Sequence, residues 1–448
     1  MGDDVEGRDD DSGEIGNREE GTGKSMLRYK VMIGLAAFAA GAAYAAPFKD
    51  GDTVVWLGDS ITCGGRYHEF VRDYYATRFP EAKITFYNSG KNGDNAAGAQ
   101  ARLADDVAQL KPNRVLIHFG MNDVGRGDYS AKRTPQQIAH GEKCRKDFEA
   151  NIVRLADGVL AAAPGAKIAF ATPTPYDDTA VITSDPKANA KNWVGCNAAL
   201  KGLGDYVKGL AEKRGVPCVD WHAPLNGIIE RHRKAGDTAF MFTGTDRVHP
   251  QTAGHVIMAW TFLKQQGVPA IVSDVAIDAK SGKVAKSENA AVTDLKASAD
   301  GVSCTMLEKA LPLPLPPEAA EYLAEFKVEE TLNREVFAVT GLKAGNYALL
   351  IDGKEVATGD AAAFAKGIWL GFNEKTPQYA QAQKFFAANK AAADAERKLR
   401  IYFWNDKIAT PEARQKCFAQ YDKAREHLKI VPHTYEVKRR DEGRGMKP

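Results

Sequence analysis

From Asp52 onward, short apolar runs alternate with stretches in which apolar residues recur every three or four positions. Thr53–Leu57 (TVVWL), Lys83–Tyr87 (KITFY), Arg114–Phe119 (RVLIHF), Lys167–Ala171 (KIAFA) and Val216–Asp220 (VPCVD) predict five short, buried strands. Between them, Tyr67, Phe70, Val71, Tyr74 and Tyr75 share one helical face. Phe148, Ile152, Leu155 and Val159 share a second, and Leu200, Leu203, Val207 and Leu210 a third. This alternation predicts an α/β fold in which a five-stranded parallel sheet lies between two helical layers. Such sheets carry their sites outside the carboxyl ends of the strands. The loops after Leu57, Tyr87, Phe119 and Ala171 are therefore where chemistry is expected.

The pattern changes after a helix expected from Pro250 to about Gln266. Residues 270–305 alternate over short runs broken by Gly and Asp, and Leu311-Pro-Leu-Pro-Leu-Pro-Pro317 predicts a stiff, extended linker. Val336–Val339, Tyr347–Ile351 and Glu355–Ala357, joined at Gly341 and Asp352-Gly353, predict antiparallel hairpins. Residues 376–428 predict helix, and the charged tail from Lys438 is expected to be loose. The organisation expected is an acidic extension (1–25), a signal peptide (26–45), the α/β domain (46–269), a β-rich accessory region (270–365), and a helical region with its tail (366–448).

Composition narrows the function classes. Of 448 residues 44% are hydrophobic, enough for a packed core and against a disordered chain. Sixty basic and 58 acidic side chains leave a formal charge of +2, with no field that would draw nucleic acid or an anionic membrane. Residues 1–25 hold nine acidic and three basic side chains. Arg28 and Lys30 then precede an apolar run, Val31 to Ala46, which is shorter than the ~20 residues a membrane span needs. Ala43-Tyr44-Ala45 ends it with small residues at the peptidase positions, which predicts cleavage after Ala45 and export to a periplasmic or extracellular space. The six cysteines (63, 144, 196, 218, 304 and 417) contain no C-x-x-C pair and no His at zinc-finger spacing, so no metal site is expected. Disulfides and buried free thiols both stay open for them.

Two loops could together supply a nucleophile and its base. The first strand ends in Gly58-Asp59-Ser60, which puts a hydroxyl at the mouth of the sheet, and such a hydroxyl needs a base to become nucleophilic. Asp246-Arg247-Val248-His249-Pro250 offers one. The carboxylate can reach Nδ1–H of the His three residues on and leave Nε2 free for Ser60. Backbone N–H groups of Ser60 and Gly93, with the amide of Asn122, would give a developing oxyanion three donors. Alternative enzyme signatures fail. The G-x-S-x-G elbow is broken by Thr62, and neither a P-loop nor a dinucleotide fingerprint follows the first strand, so no cofactor is expected.

Gly58-Asp59-Ser60, Gly93, Gly120-x-Asn122-Asp123 and Asp246-x-x-His249 resemble, in order, the four blocks of the SGNH/GDSL hydrolases over residues 52–266. The resemblance implies a flavodoxin-like three-layer fold with Ser60 as nucleophile, His249 as base and Asp246 as its orienting carboxylate. It also implies an oxyanion hole of Ser60, Gly93 and Asn122. Gly93 is preferred to Gly90 because the family's Asn-x-x-x-x-Gly-Asp register fits Asn88 to Asp94. The region after Pro316 is similar to C-terminal modules on some exported bacterial members. The expected partner is an acylated, mainly acetylated, carbohydrate or another small ester. A lipase, or a carbohydrate-binding surface protein without activity, is the alternative. The polar loop Pro173–Asn197, with Asp177, Asp178, Asp185, Lys187 and Lys191, is expected to form a sugar-facing rim on which Tyr176 or Trp193 stacks.

Overall fold

The computed structural model describes residues 47–440 apart from 191 and 407–410. The acidic extension and signal peptide expected over residues 1–45 lie outside the described residues. Strands β1 (Thr53–Gly58), β2 (Thr85–Gly90), β3 (Arg114–His118), β4 (Lys167–Ala171) and β5 (Cys218–Val219) form one parallel sheet in the order β2-β1-β3-β4-β5. Residues Val54 to Leu57 and all of β3 are buried, which explains their unbroken apolar runs: both faces of the sheet are covered. Tyr67–Arg78 packs with Thr252–Gln265, and Pro135–Ala162 with Cys196–Arg214, which completes the three layers. The chain turns opposite ways from β1 into β2 and from there into β3. The crevice at the carboxyl ends of β1 and β3 is thus the switch point of the sheet.

Beyond the sheet, the chain builds a two-layer β-sandwich. Strands β6 (Ile271–Asp278), β7 (Lys283–Glu288), β10 (Arg334–Thr340) and β13 (Ile368–Trp369) pair in the order β13-β10-β6-β7. Strands β8 (Ala290–Ser298), β9 (Gly301–Glu308), β11 (Asn346–Ile351), β12 (Lys354–Asp360) and β14 (His433–Arg439) form the second sheet. Val275, Ile277, Phe337 and Val339 of the first share one core with Cys304, Met306, Leu349, Tyr435 and Val437 of the second.

Three expectations change here. Only one of the expected hairpins forms, β11–β12, at Asp352-Gly353, where both residues have positive φ (51° and 77°). Strand β10 instead lies parallel to β6, and this long-range pairing left no local mark in the sequence. The tail is not loose at Lys438, because Tyr435 and Val437 alternate with polar neighbours and β14 is inserted between β9 and β11. Nor is the Leu-Pro segment a solvated linker. In an extended chain its leucines fall on one side, and Leu311, Leu313 and Leu315 are buried, the last two in the core of the α/β body. Helices Pro377–Asp406 and Pro411–Ala424 fill the region expected to be helical.

Candidate active site

At Gly58 a Cβ would stand 2.2 Å from Thr62 Oγ1 and 2.9 Å from His118 O, so only glycine lets β1 run straight into the helix Ser60–Gly64. Asp59 caps that helix, its Oδ1 accepting from Ile61 N at 2.9 Å. Ser60 is the first helical residue, so its own N–H has no intrahelical acceptor. The Ser60 hydroxyl lies 2.8 Å from His249 Nε2, and His249 Nδ1 lies 2.5 Å from Asp246 Oδ2. Ser60, His249 and Asp246 therefore form one continuous hydrogen-bonded chain. The His249 and Asp246 side chains are 44% and 51% exposed, open to an approaching ester.

Asp246 is over-determined. Burial raises its pKa, but the hydrogen bond from His249 and the N–H groups of Val248 and His249 outweigh this and hold it at about 2. Arg247, between the two, has φ +63°, a conformation unfavourable for a non-glycine residue by ~1–2 kcal/mol. Its buried guanidinium compensates by donating to Asp177 O, Ala180 O and Asn189 Oδ1. This turn sends Arg247 inward and leaves Asp246 and His249 facing Ser60.

The two glycines of the second loop have different jobs. A Cβ on Gly90 would strike Cys63 N at 2.1 Å, and the Gly90 N–H already donates to Asn88 Oδ1. Gly93 has φ +70° and open space around it, and among the described residues its N–H has no acceptor. Asn122 gives one Nδ2–H to Asp94 O at 2.8 Å, which leaves the other free, while Arg126 donates to its Oδ1 at 2.9 Å. Ser60 N, Gly93 N and Asn122 Nδ2 are thus three uncommitted donors on successive strand ends, the arrangement that can stabilise an alkoxide.

Buried acids tie these loops together. Asp123 accepts from Ala96 N and Gly120 N, joining the second and third loops, and burial raises its pKa to about 7. Burial likewise lifts Asp59 to about 6, against the lowering influence of the Ile61 N–H and of nearby His249 and Arg126. Arg102, fully buried, bonds Gly58 O, Ser89 O, Asp94 Oδ2 and Asp106 Oδ2. The distant helix Pro377–Asp406 completes the brace. Glu396 accepts from Asn88 N at 3.0 Å, and Arg400 donates to Gly90 O at 2.8 Å and pairs with Asp106. Sequence reasoning missed Arg102, Arg126, Arg247 and Arg400. Arg247 fills an unspecified position of the Asp246-x-x-His249 block and the other three lie outside every motif; Arg400 meets its partners across some 300 positions of chain.

The expected rim needs correction. Tyr176 is 1% exposed, so no sugar can stack on it; its ring lies 5.5 Å from that of Trp193 and its hydroxyl accepts from Trp193 N. Asp177 is buried and paired with Arg233, and Asp178 accepts from Gly195 N, so part of the loop's charge points inward. Trp193 is partly exposed, with the Arg126 guanidinium 5.2 Å from its ring centre. All six cysteines are free thiols. Among the described residues, Asp128, His140 and Cys144 are the one grouping with metal-ligand chemistry. His140 Nδ1 already bonds Asp128 Oδ2, and the sulfur stands 3.9 Å from both ring nitrogens, hence off the lone-pair direction of each. The His140–Asp128 bond ties the turn Arg126–Asp128 to the helix Pro135–Ala162.

Residues 56–257 match the family model described as GDSL-like lipase/acylhydrolase. An acetylxylan esterase of Geobacillus stearothermophilus is 28% identical over 233 residues, 48% of this chain and 94% of that enzyme. A solved structure described as a gut microbial diltiazem-metabolizing enzyme is similar at 30% identity with a TM-score of 0.79, covering 89% of this chain and 100% of its own. That likeness extends past the parallel sheet into the sandwich and C-terminal helices.

Proposed function

On the premise that this chain belongs to the GDSL-like lipase/acylhydrolase family and hydrolyses carboxylic esters, we propose that it removes small acyl groups, chiefly acetyl, from carbohydrate. The observation that carries the chemistry is the chain of hydrogen bonds from Ser60 through His249 to Asp246, beside three uncommitted donors. In this reading His249 Nε2 takes the Ser60 proton as Oγ attacks the ester carbonyl. The oxyanion of the tetrahedral intermediate is met by Ser60 N–H, Gly93 N–H and the free Nδ2–H of Asn122. His249 then passes its proton to the departing sugar oxygen, which leaves as the free hydroxyl, and water activated by the same imidazole releases the acid from Ser60. Asp246 stays ionised throughout and holds Nδ1–H.

The preference for a sugar acetate rests on the relative named for acetylxylan and on the character of the rim. Arg126, Trp193 and Asn122 present polar and aromatic groups at the crevice. A long acyl chain would gain ~0.8 kcal/mol per methylene only if an apolar groove buried it. The catalytic efficiency on p-nitrophenyl esters is therefore expected to fall from acetate to octanoate, and acetylated xylo-oligosaccharides should release acetate. A rise toward octanoate would favour the lipase reading instead. Among the described residues no helix is long and apolar enough to cross a membrane. Export accompanies the proposal: the secreted chain is expected to begin at Ala46, and intact mass of protein recovered outside the cytoplasm would check it.

A further inference from the structure

Arg126 follows Asn122 by four residues in the loop after β3, and no motif includes it. It is partly buried, and among the described residues no carboxylate forms an ion pair with it. Withdrawing part of a guanidinium from water with no carboxylate in direct contact has a cost, so its placement needs a reason. Its neighbours supply one. Nη2 donates to Asn122 Oδ1 at 2.9 Å, and the guanidinium is held 5.2 Å from the centre of the Trp193 ring, which in turn leans on buried Tyr176.

An asparagine amide can sit either way round, and its partners decide which end faces the substrate. Here both ends are specified. Asp94 O can only accept and so demands Nδ2, while Arg126 can only donate and so demands Oδ1. In the flipped amide, oxygen would face oxygen at Asp94 and N–H would face N–H at Arg126. A cation on Oδ1 also polarises the amide and makes the remaining N–H a stronger donor.

We propose that Arg126 is a positioning residue of the oxyanion hole, fixing the orientation and donor strength of the Asn122 amide, with Trp193 holding the guanidinium in place. This rests on the reading of Ser60, Gly93 and Asn122 as the oxyanion donors. The test is a double-mutant cycle on the full chain with p-nitrophenyl acetate. Asn122→Ala is expected to lower kcat by ~10²–10³. Arg126→Ala should lower kcat by ~10-fold with KM within ~2-fold, since it weakens a donor that matters most when charge develops. Added to Asn122→Ala, it should cost less than a further ~2-fold, because its only route to the reaction is already gone. Arg126→Lys, whose ammonium can still donate to Oδ1, should recover most of kcat.

Losses that multiply in the double variant, a change confined to KM, or a Lys variant no better than Ala would each overturn the proposal. The KM outcome would make Arg126 a substrate-binding group instead. If Asn122→Ala itself keeps wild-type kcat, the oxyanion-hole reading fails. If Asn122→Ala behaves as expected and only the cycle does not, the role of Arg126 alone is wrong.

Discussion

Ser60→Ala is expected to lower kcat on an aryl acetate by ~10⁶, leaving the residual rate that oxyanion donors and binding alone provide. The loss follows from chemistry, since without Oγ no acyl-enzyme can form and His249 has no proton to accept. The fold should be unaffected. The hydroxyl bonds His249 Nε2, while the start of the helix is secured by Asp59 through Ile61 N. Melting temperature should therefore stay within a few degrees of wild type while activity disappears. Wild-type turnover in the variant would remove Ser60 as the nucleophile.

Asp246→Asn should cost ~10³–10⁴ in kcat with little change in KM, a large effect for the exchange of one oxygen for nitrogen. Asp246 Oδ1 accepts from the N–H groups of Val248 and His249, so in the variant the amide oxygen is drawn to that side. The NH₂ then faces His249 Nδ1 and donates to it. The ring proton moves to Nε2, which can then no longer accept the proton of the Ser60 hydroxyl. A loss below ~10-fold would show that another acceptor holds His249.

The same carboxylate sets the pH behaviour. Asp246 is held at about 2, below its ordinary 3.8, so its stabilising contribution is complete above about pH 4 and is lost as pH falls toward 2. It remains ionised wherever the enzyme works. The acid limb of log kcat/KM against pH should therefore have unit slope, one proton on the imidazole silencing the base. A slope of two above about pH 4 would mean that a second group must also lose its proton, with buried Asp59 and Asp123, raised to about 6 and 7, the first to examine.

Local pattern carried much of the architecture. The strands were legible because buried parallel strands are unbroken apolar runs, and all five predicted spans overlap the observed ones, each starting within two residues of its strand. The sandwich was harder to read. Strand β10 pairs with β6, and β14 reaches back across more than 100 residues to β9, so neighbours in the sheet are not neighbours in the chain. The Leu-Pro segment misled for a related reason: prolines mark an extended chain, but only packing decides whether its leucines meet water or a core.

By itself the sequence determined an α/β chain with Ser60, Gly93, Asn122, Asp246 and His249 at loop positions, because strand period, glycine at turns and short motifs are local properties. Tertiary structure decided which groups meet. It brought His249 to Ser60 across 189 positions and turned Tyr176 into the core. It left Gly93 rather than Gly90 with a spare N–H, and set Arg126 on the Asn122 amide. It also braced the second loop from a helix more than 300 residues away. Hydrogen-bond partnership and burial depend on how the layers close on one another, a long-range property that no window of sequence contains.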